Sequence, residues 1–293
     1  MALIAALTFA LRLSSAAADG LKVYISADME GVAGAVTSAQ LSSNGFEYGQ
    51  FRRFMTAEVN AAIDAARAAG ADEIVVSDSH GNGQNLLLDE LPQDIQLVRS
   101  WPRPLGMMEG IDQSFDAAIF IGYHTGAANP AGIRAHTQSS ASFTAIRING
   151  QDMSEGSFNA LIAGHFGVPV VMISGDDAAV AEVAAAVGPV EGAVVKWHTS
   201  NSAGRTLMPE AAQALIGEKV RAGLQRREQI RPFTISGPLQ MELAFQNREA
   251  AELLAYLPNI DSIDAHTIRF TGDIVELSMF IEMVLGYPET MAN

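Results

Sequence analysis

The chain has 293 residues, 48% hydrophobic and 17% charged, with a formal net charge of -15 and no cysteine. This suits one large globular domain or two modest ones, and the negative balance excludes nucleic acid and anionic membrane surfaces, which bind basic faces. Without cysteine there are no disulfides, thiolate metal sites or cysteine nucleophiles, so a metal must be held by His, Asp and Glu, and a small or peptide-like substrate is expected.

Residues 1–19 differ from the rest. The run 2–11 is apolar, and Ser14, Ser15, Ala16, Ala17 and Ala18 supply small residues for cleavage, the pattern of a signal peptide. No Lys or Arg precedes the run, and Arg12 stands at its far end. The expectation is export, with a periplasmic or secreted mature protein beginning near Asp19; a cytoplasmic protein with an N-terminal tail is the alternative. No later segment reaches the roughly 18 uninterrupted apolar residues of a membrane helix.

Residues 21–26 alternate Val23 and Ile25 with polar neighbours and predict a strand, followed by Ala27-Asp28-Met29-Glu30-Gly31-Val32-Ala33-Gly34. If the chain stays extended through Met29, Asp28 and Glu30 point the same way. Two carboxylates sharing a small volume repel unless a cation or a shared proton relieves them. Taken alone, the pair also reads as solvated loop acids or helix caps. A helix over 46–69 follows, with Phe51, Met55, Val59 and Ile63 on one face and Gly70 as its stop. The strand at 73–77 ends in Asp78-Ser79-His80, 95–98 is a third strand, and the strand at 117–121 ends in Gly122-Tyr123-His124. Parallel strands of a doubly wound sheet present their carboxyl ends on one edge. Asp28, Glu30, His80 and His124 are therefore expected to meet, and together they point to a metal.

Residues 134–149 alternate like an antiparallel strand or hairpin, with His136 at the start and Asn149-Gly150 as the turn. Ser154 and Glu155 open a helix, where Ser154 fits an N-cap and Glu155 fits either a dipole-stabilised acid or a ligand. A strand over 168–173 leads to Asp176 and Asp177, which fit the start of an alanine-rich helix. From about Glu191 the order is strand 193–197, helix 209–226, strand 233–245, helix 248–257, strand 263–270 and helix 273–285. The expected architecture is α/β, a doubly wound, mostly parallel sheet over 20–190 with a second, smaller α+β domain over 191–293. His165, His198 and His266 are expected to be structural, with a place at the border of a substrate pocket as the alternative for His198.

Ser26-Ala27-Asp28-Met29-Glu30-Gly31, Ser77-Asp78-Ser79-His80, Gly122-Tyr123-His124, His136, and Glu155-Gly156 with Asn159-Ala160 together resemble the zinc D-aminopeptidase family of the dipeptide-transport-operon type. The resemblance runs from about Leu21 to near Leu285 and is strongest through Val195. It implies a three-layer first domain, two zinc ions per subunit on Asp28, Glu30, His80, His124 and Glu155, His136 as the catalytic residue, and ring-like homo-oligomers. It also implies release of N-terminal D-residues from short peptides. The chain departs from the family in its N-terminal extension and in a slightly longer loop over 125–135. Five N and O ligands exceed the three of a usual catalytic zinc but suit two metals sharing a carboxylate, for which Asp28 is the natural bridge. A two-metal amidase or esterase on the same scaffold and an exported solute-binding protein are the competing functions.

Overall fold

The computed structural model describes residues 20–292, with side chains through Tyr287; the expected signal segment, 1–19, lies outside the described residues. In chain order the elements are β1 (Leu21–Ala27), α1 (Ser38–Leu41), α2 (Tyr48–Ala68), β2 (Ala71–Asp78), β3 (Gln96–Val98), β4 (Ala117–Tyr123), β5 (Phe143–Ile148), β6 (Gln151–Asp152), α3 (Glu155–His165) and β7 (Val170–Asp176). They continue with α4 (Asp177–Val187), β8 (Glu191–Ser200), β9 (Ala203–Thr206), α5 (Pro209–Gln225), β10 (Leu239–Phe245), α6 (Arg248–Leu254), β11 (Ile260–Ser262), β12 (Thr267–Gly272) and α7 (Ile274–Ala292).

One sheet has the order β3-β2-β1-β4-β7-β8-β9, parallel except for the antiparallel edge strand β9. Its central strands are buried on both faces. Val23 and Ile25 of β1 share a core with Met55, Val59 and Ile63 of α2 and with Ile216 and Val220 of α5. On the other face, Tyr24, Phe120 and Ile173 share a core with α3, α7 and the second sheet, whose order is β11-β12-β10-β5-β6. Every residue of α3 from Glu155 to Gly164 is buried, which an all-round apolar helix requires. The result is a layered α/β body joined to a smaller antiparallel unit.

The two sheets interleave in sequence. The β5–β6 hairpin belongs to the second sheet, paired through β10, while β8, β9 and α5 complete the first. A division at Glu191 therefore cuts the first sheet rather than separating the two. The local order of strands and helices is readable, but which sheet receives a strand depends on long-range pairing. The hairpin turn is as expected: Asn149 and Gly150 have φ of +51° and +80°, the two positive values a type I′ turn needs. The strand expected over 233–245 is realised only as β10, because Pro232 and Pro238 lack a backbone N–H and Gly237, at φ +87°, turns the chain between them. Both expected helix starts are capped. Ser154 accepts from the backbone N–H of Ser157, and Asp176 accepts from that of Ala179 at 2.8 Å.

Among the described residues, no helix is long and apolar enough to cross a membrane.

Candidate metal centre

The order β2-β1-β4 puts the carboxyl ends of three strands side by side, and the site is built on them. β1 ends at Ala27, one residue before Asp28, so the extended run stops sooner than the alternation suggested. The loop that follows lies flat on β4. The Gly31 N–H donates to Gly122 O at 2.6 Å, and a Cβ on Gly31 would stand 2.1 Å from Tyr123 O, so only glycine permits this approach. Both acids still reach the same histidine. His80 Nδ1 lies 2.8 Å from Glu30 Oε2 and 3.2 Å from Asp28 Oδ1. Its Nε2 lies 2.9 Å from Leu41 O. A carbonyl only accepts, so Nε2 carries the hydrogen and Nδ1 is turned to the carboxylates.

His124 is oriented by the same logic. Its Nδ1–H donates to Thr125 O at 2.9 Å, leaving Nε2 3.4 Å from both Asp28 Oδ2 and Glu155 Oε2. Asp28 thus stands between the two histidines, one oxygen toward each. Glu155, the first residue of α3, accepts at Oε1 from the backbone N–H of Gln138 at 2.7 Å. Gln138 holds φ +61°, an uncommon conformation for a residue with a side chain. The ring of His136 stacks on that of His124, with centroids 4.1 Å apart and planes at 9°. His136 Nδ1–H donates to Arg134 O at 2.8 Å, and its Nε2 is 3.7 Å from Glu155 Oε1. All six residues singled out in the sequence converge, as two adjoining triads of donor atoms: Asp28, Glu30 and His80, and His124, His136 and Glu155.

The cluster is nearly dry, and its charges answer to one another. Burial and the neighbouring Glu30 push Asp28 up to about 8. Burial also opposes ionisation of Glu30 and Glu155, but the charge and hydrogen bond of His80 hold Glu30 well below the usual carboxylate range, and His124 and His136 hold Glu155 down. For His80 and His124 burial disfavours the cation, yet the carboxylates win: His80 rises well above its ordinary value and His124 to about 10. His136 goes the other way, held below its ordinary value by burial and by the His124 charge. Protons on His80 and His124 thus balance the buried carboxylates. Even so, two buried atoms aimed at each other, Asp28 Oδ2 and His124 Nε2, have no hydrogen-bond partner. Buried polar atoms without partners are rare in native proteins and call for an ion or water, and imidazole nitrogen with carboxylate oxygen is a donor set that suits zinc.

A cavity of about 1170 Å³ opens onto the cluster, reaching Asp28, Glu30, His80, His136 and Glu155 on one side and Trp101, Met279 and Met283 on another. The remaining histidines take structural roles. His198 Nδ1 pairs with Asp177 Oδ1 at 2.9 Å, His266 Nδ1 donates to Phe245 O at 3.2 Å, and His165 packs edge-on to Phe166. Sequence reasoning passed over the supports of the loop over 30–35: Glu58 Oε1 accepts from Ala33 N–H at 2.9 Å, Thr206 Oγ1 accepts from Gly34 N–H at 2.8 Å, and Lys196 Nζ donates to Glu30 O and Ala35 O. The one available signal was a lysine inside the apolar strand Ala193-Val194-Val195-Lys196-Trp197.

Residues 21–283 match the D-aminopeptidase family of peptidases, M55. A curated D-aminopeptidase of Bacillus subtilis (strain 168) is 33% identical over 261 residues, 87% of this chain and 93% of that protein. The solved structure of the Zn-dependent D-aminopeptidase DppA from Bacillus subtilis, described as a self-compartmentalizing protease, superposes with a TM-score of 0.85 at 31% identity, covering 90% of this chain and 97% of that one. With the match spanning both sheets and the whole cluster, this chain belongs to the M55 D-aminopeptidase family of peptidases.

Proposed function

We propose that this chain is a zinc-dependent aminopeptidase that releases N-terminal D-amino acids from short peptides or amides, using two zinc ions per subunit. The observation that carries the reading is the unpartnered pair Asp28 Oδ2 and His124 Nε2 inside a cluster of three carboxylates and three imidazoles, all buried except the half-buried His136. Asp28, with an oxygen toward each histidine, would be shared between the ions; Glu30 and His80 on one side of it, and His124 and Glu155 on the other, would hold them. Zinc, when bound, supplies Lewis acidity toward the scissile carbonyl and makes hydroxide available near neutral pH.

The chain supplies the rest. The Nε2–H bond of His80 to Leu41 O and the Nδ1–H bond of His124 to Thr125 O fix which nitrogen each ring presents. His136 has its Nδ1–H committed to Arg134 O and is held neutral, so its bare Nε2 can take a proton and return it to the departing amine. The relatives' D-specificity and the DppA neighbour's self-compartmentalization support a D-configured substrate and a homo-oligomer enclosing the sites. Parallel assays of D- and L-alanyl amides with and without chelator test the reading. Chelator-sensitive cleavage with a strong D preference is expected. Cleavage preferring L-substrates or esters would move the protein to a two-metal amidase or esterase of other specificity, and full activity in metal-free protein would sink the metal reading.

Stability against pH should differ between the metal-free and zinc-loaded protein. In the metal-free chain, the raised pKa of His80 and His124 contributes stability that is complete below the ordinary 6.5 and is lost as pH rises toward their folded values. Glu30 and Glu155 are depressed, so their contribution is present above the ordinary 4.5 and is lost as pH falls through their folded values. Asp28, raised, costs stability increasingly above its ordinary 3.8. Metal-free protein should therefore be most heat-stable between about pH 4.5 and 6.5. Zinc binds the deprotonated donors, so its stabilisation should grow as pH rises. Thermal midpoints from pH 4 to 9, with zinc and with chelator, check this; parallel curves would show that protons and metal do not share the cluster.

A further inference from the structure

Lys196 is a fully buried ammonium that the chemistry of the cluster does not use. It sits on β8, in register with Asp176 of β7 and Thr206 of β9. β4 and β7 separate β8 from β1, so the Lys196 side chain reaches the metal loop only because that loop arches over the sheet edge. The arch runs from Glu30 to Ala35, buried at every residue except Gly34. A buried loop has no water to satisfy its carbonyls, so each needs a protein donor. Lys196 Nζ donates to Glu30 O and to Ala35 O, the latter at 2.5 Å, and so bridges the two ends of the arch. No carboxylate of the described residues lies within ion-pairing distance of Lys196. Its bonds are to main-chain oxygens, one of them on the residue whose side chain meets His80 Nδ1 at 2.8 Å.

The other anchors grip the middle of the arch. Glu58 accepts from Ala33 N–H, Thr206 accepts from Gly34 N–H, and Gly122 O accepts from Gly31 N–H. Among the described residues, only Lys196 holds the carbonyl of Glu30 itself. A lost donor there would leave two buried carbonyls unpaired at the ends of the arch; with Gly31 N–H still held by Gly122 O, the chain would shift on the Glu30 side to re-pair its carbonyl, which carries the Glu30 carboxylate off His80. A buried ammonium is an expensive way to satisfy two carbonyls that a neutral donor could serve. What it adds near neutral pH is a positive charge, its pKa lowered by burial to about 8, behind a loop carrying two of the cluster's three carboxylates.

We propose that Lys196 is a positioning residue for the metal site: by clamping the carbonyls of Glu30 and Ala35 it sets the Glu30 carboxylate in place and favours ion binding at the half made by Asp28, Glu30 and His80. The inference rests on the two-metal reading above. Outer partners of metal ligands are typically worth about 10–100-fold in affinity. Lys196→Met, which keeps the aliphatic stem and removes the donor, should weaken one of two zinc equivalents by about that factor and the other less than about threefold. Lys196→Gln, which keeps a neutral donor, should recover part of the loss.

The test is stepwise Zn²⁺ titration of chelator-stripped, full-length protein against a chromophoric competitor, with the thermal midpoint of each metal-free variant measured alongside. The expected result is a selective loss at one equivalent, partly restored in Lys196→Gln, whatever the change in midpoint. Wild-type binding of both equivalents by Lys196→Met, even in a less heat-stable protein, overturns the proposal and leaves Lys196 a core residue. So does failure of both variants to fold. If the wild type itself takes up no zinc, the two-metal reading falls instead, and the two failures are told apart by that control.

Discussion

Asp28→Asn is expected to remove zinc binding and hydrolysis while leaving the metal-free fold intact. Asp28 is 2% exposed and sits with Oδ1 3.2 Å from His80 Nδ1 and Oδ2 3.4 Å from His124 Nε2. With its pKa pushed up to about 8, the metal-free chain already carries this residue largely protonated at pH 7, and asparagine is close to an isosteric copy of that neutral acid. The thermal midpoint without metal should move little, or upward at alkaline pH, because the variant escapes the cost of ionising a buried acid. With metal the result reverses. On the proposed two-metal reading a ligand shared by two ions is lost, so the affinity penalty should exceed the roughly 100-fold that losing an outer partner costs. Zinc at 100 times its Kd should stabilise the wild type by about 2.7 kcal/mol and the variant by almost nothing. Zinc content, midpoint with and without metal, and kcat on one preparation decide the matter. A variant that keeps both zinc equivalents would show that Asp28 is not the shared ligand.

The strand-end logic that reads Asp28, Glu30, His80 and His124 as one cluster works because β2, β1 and β4 are adjacent and parallel, so residues 28, 80 and 124 need only the end of a strand to meet. Periodicity carries that much. Glu155 and His136 are different. Glu155 comes from the buried end of α3, and His136 is delivered by a loop in which Arg134 and Gln138 take φ of +59° and +61°. Neither residue is a glycine or an asparagine, so no local signal announces those turns; the family resemblance alone gave His136 its role, and it also decided for Glu155 between the helix acid and the ligand that its position allowed. The Glu191 boundary failed for a related reason. The β5–β6 hairpin is locally unmistakable, but its pairing with β10, some 90 residues later, is a tertiary event. Lys196 could be seen as an oddity in a strand, but its target loop could not, because a side chain's partner across two intervening strands is set by how the arch folds.

His136→Ala should separate chemistry from metal binding within the same cluster. His136 and His124 stack face to face, yet their surroundings divide them: His124 is 1% exposed with its Nε2 between Asp28 and Glu155, whereas His136 lines the cavity with a side chain 20% exposed. Its Nε2 stands 3.7 Å from Glu155 Oε1, which already accepts from Gln138 N–H. It also does not carry the raised pKa of its neighbours; burial and the His124 charge hold it down, which keeps an unprotonated nitrogen facing the cavity near neutral pH. A group that acts only while the tetrahedral centre forms and collapses lowers kcat and kcat/KM together when removed. Positioned acid–base help is typically worth about 10²–10⁴-fold, so His136→Ala should lose activity in that range while retaining its zinc. His136→Gln should regain a little of it, since the amide can still donate to the reacting oxygen. His80→Ala and His124→Ala should lose zinc along with activity. The acid limb of the wild-type kcat profile should report His136 and should vanish in His136→Ala. Zinc depletion in His136→Ala would place this histidine among the ligands, completing the triad it forms with His124 and Glu155.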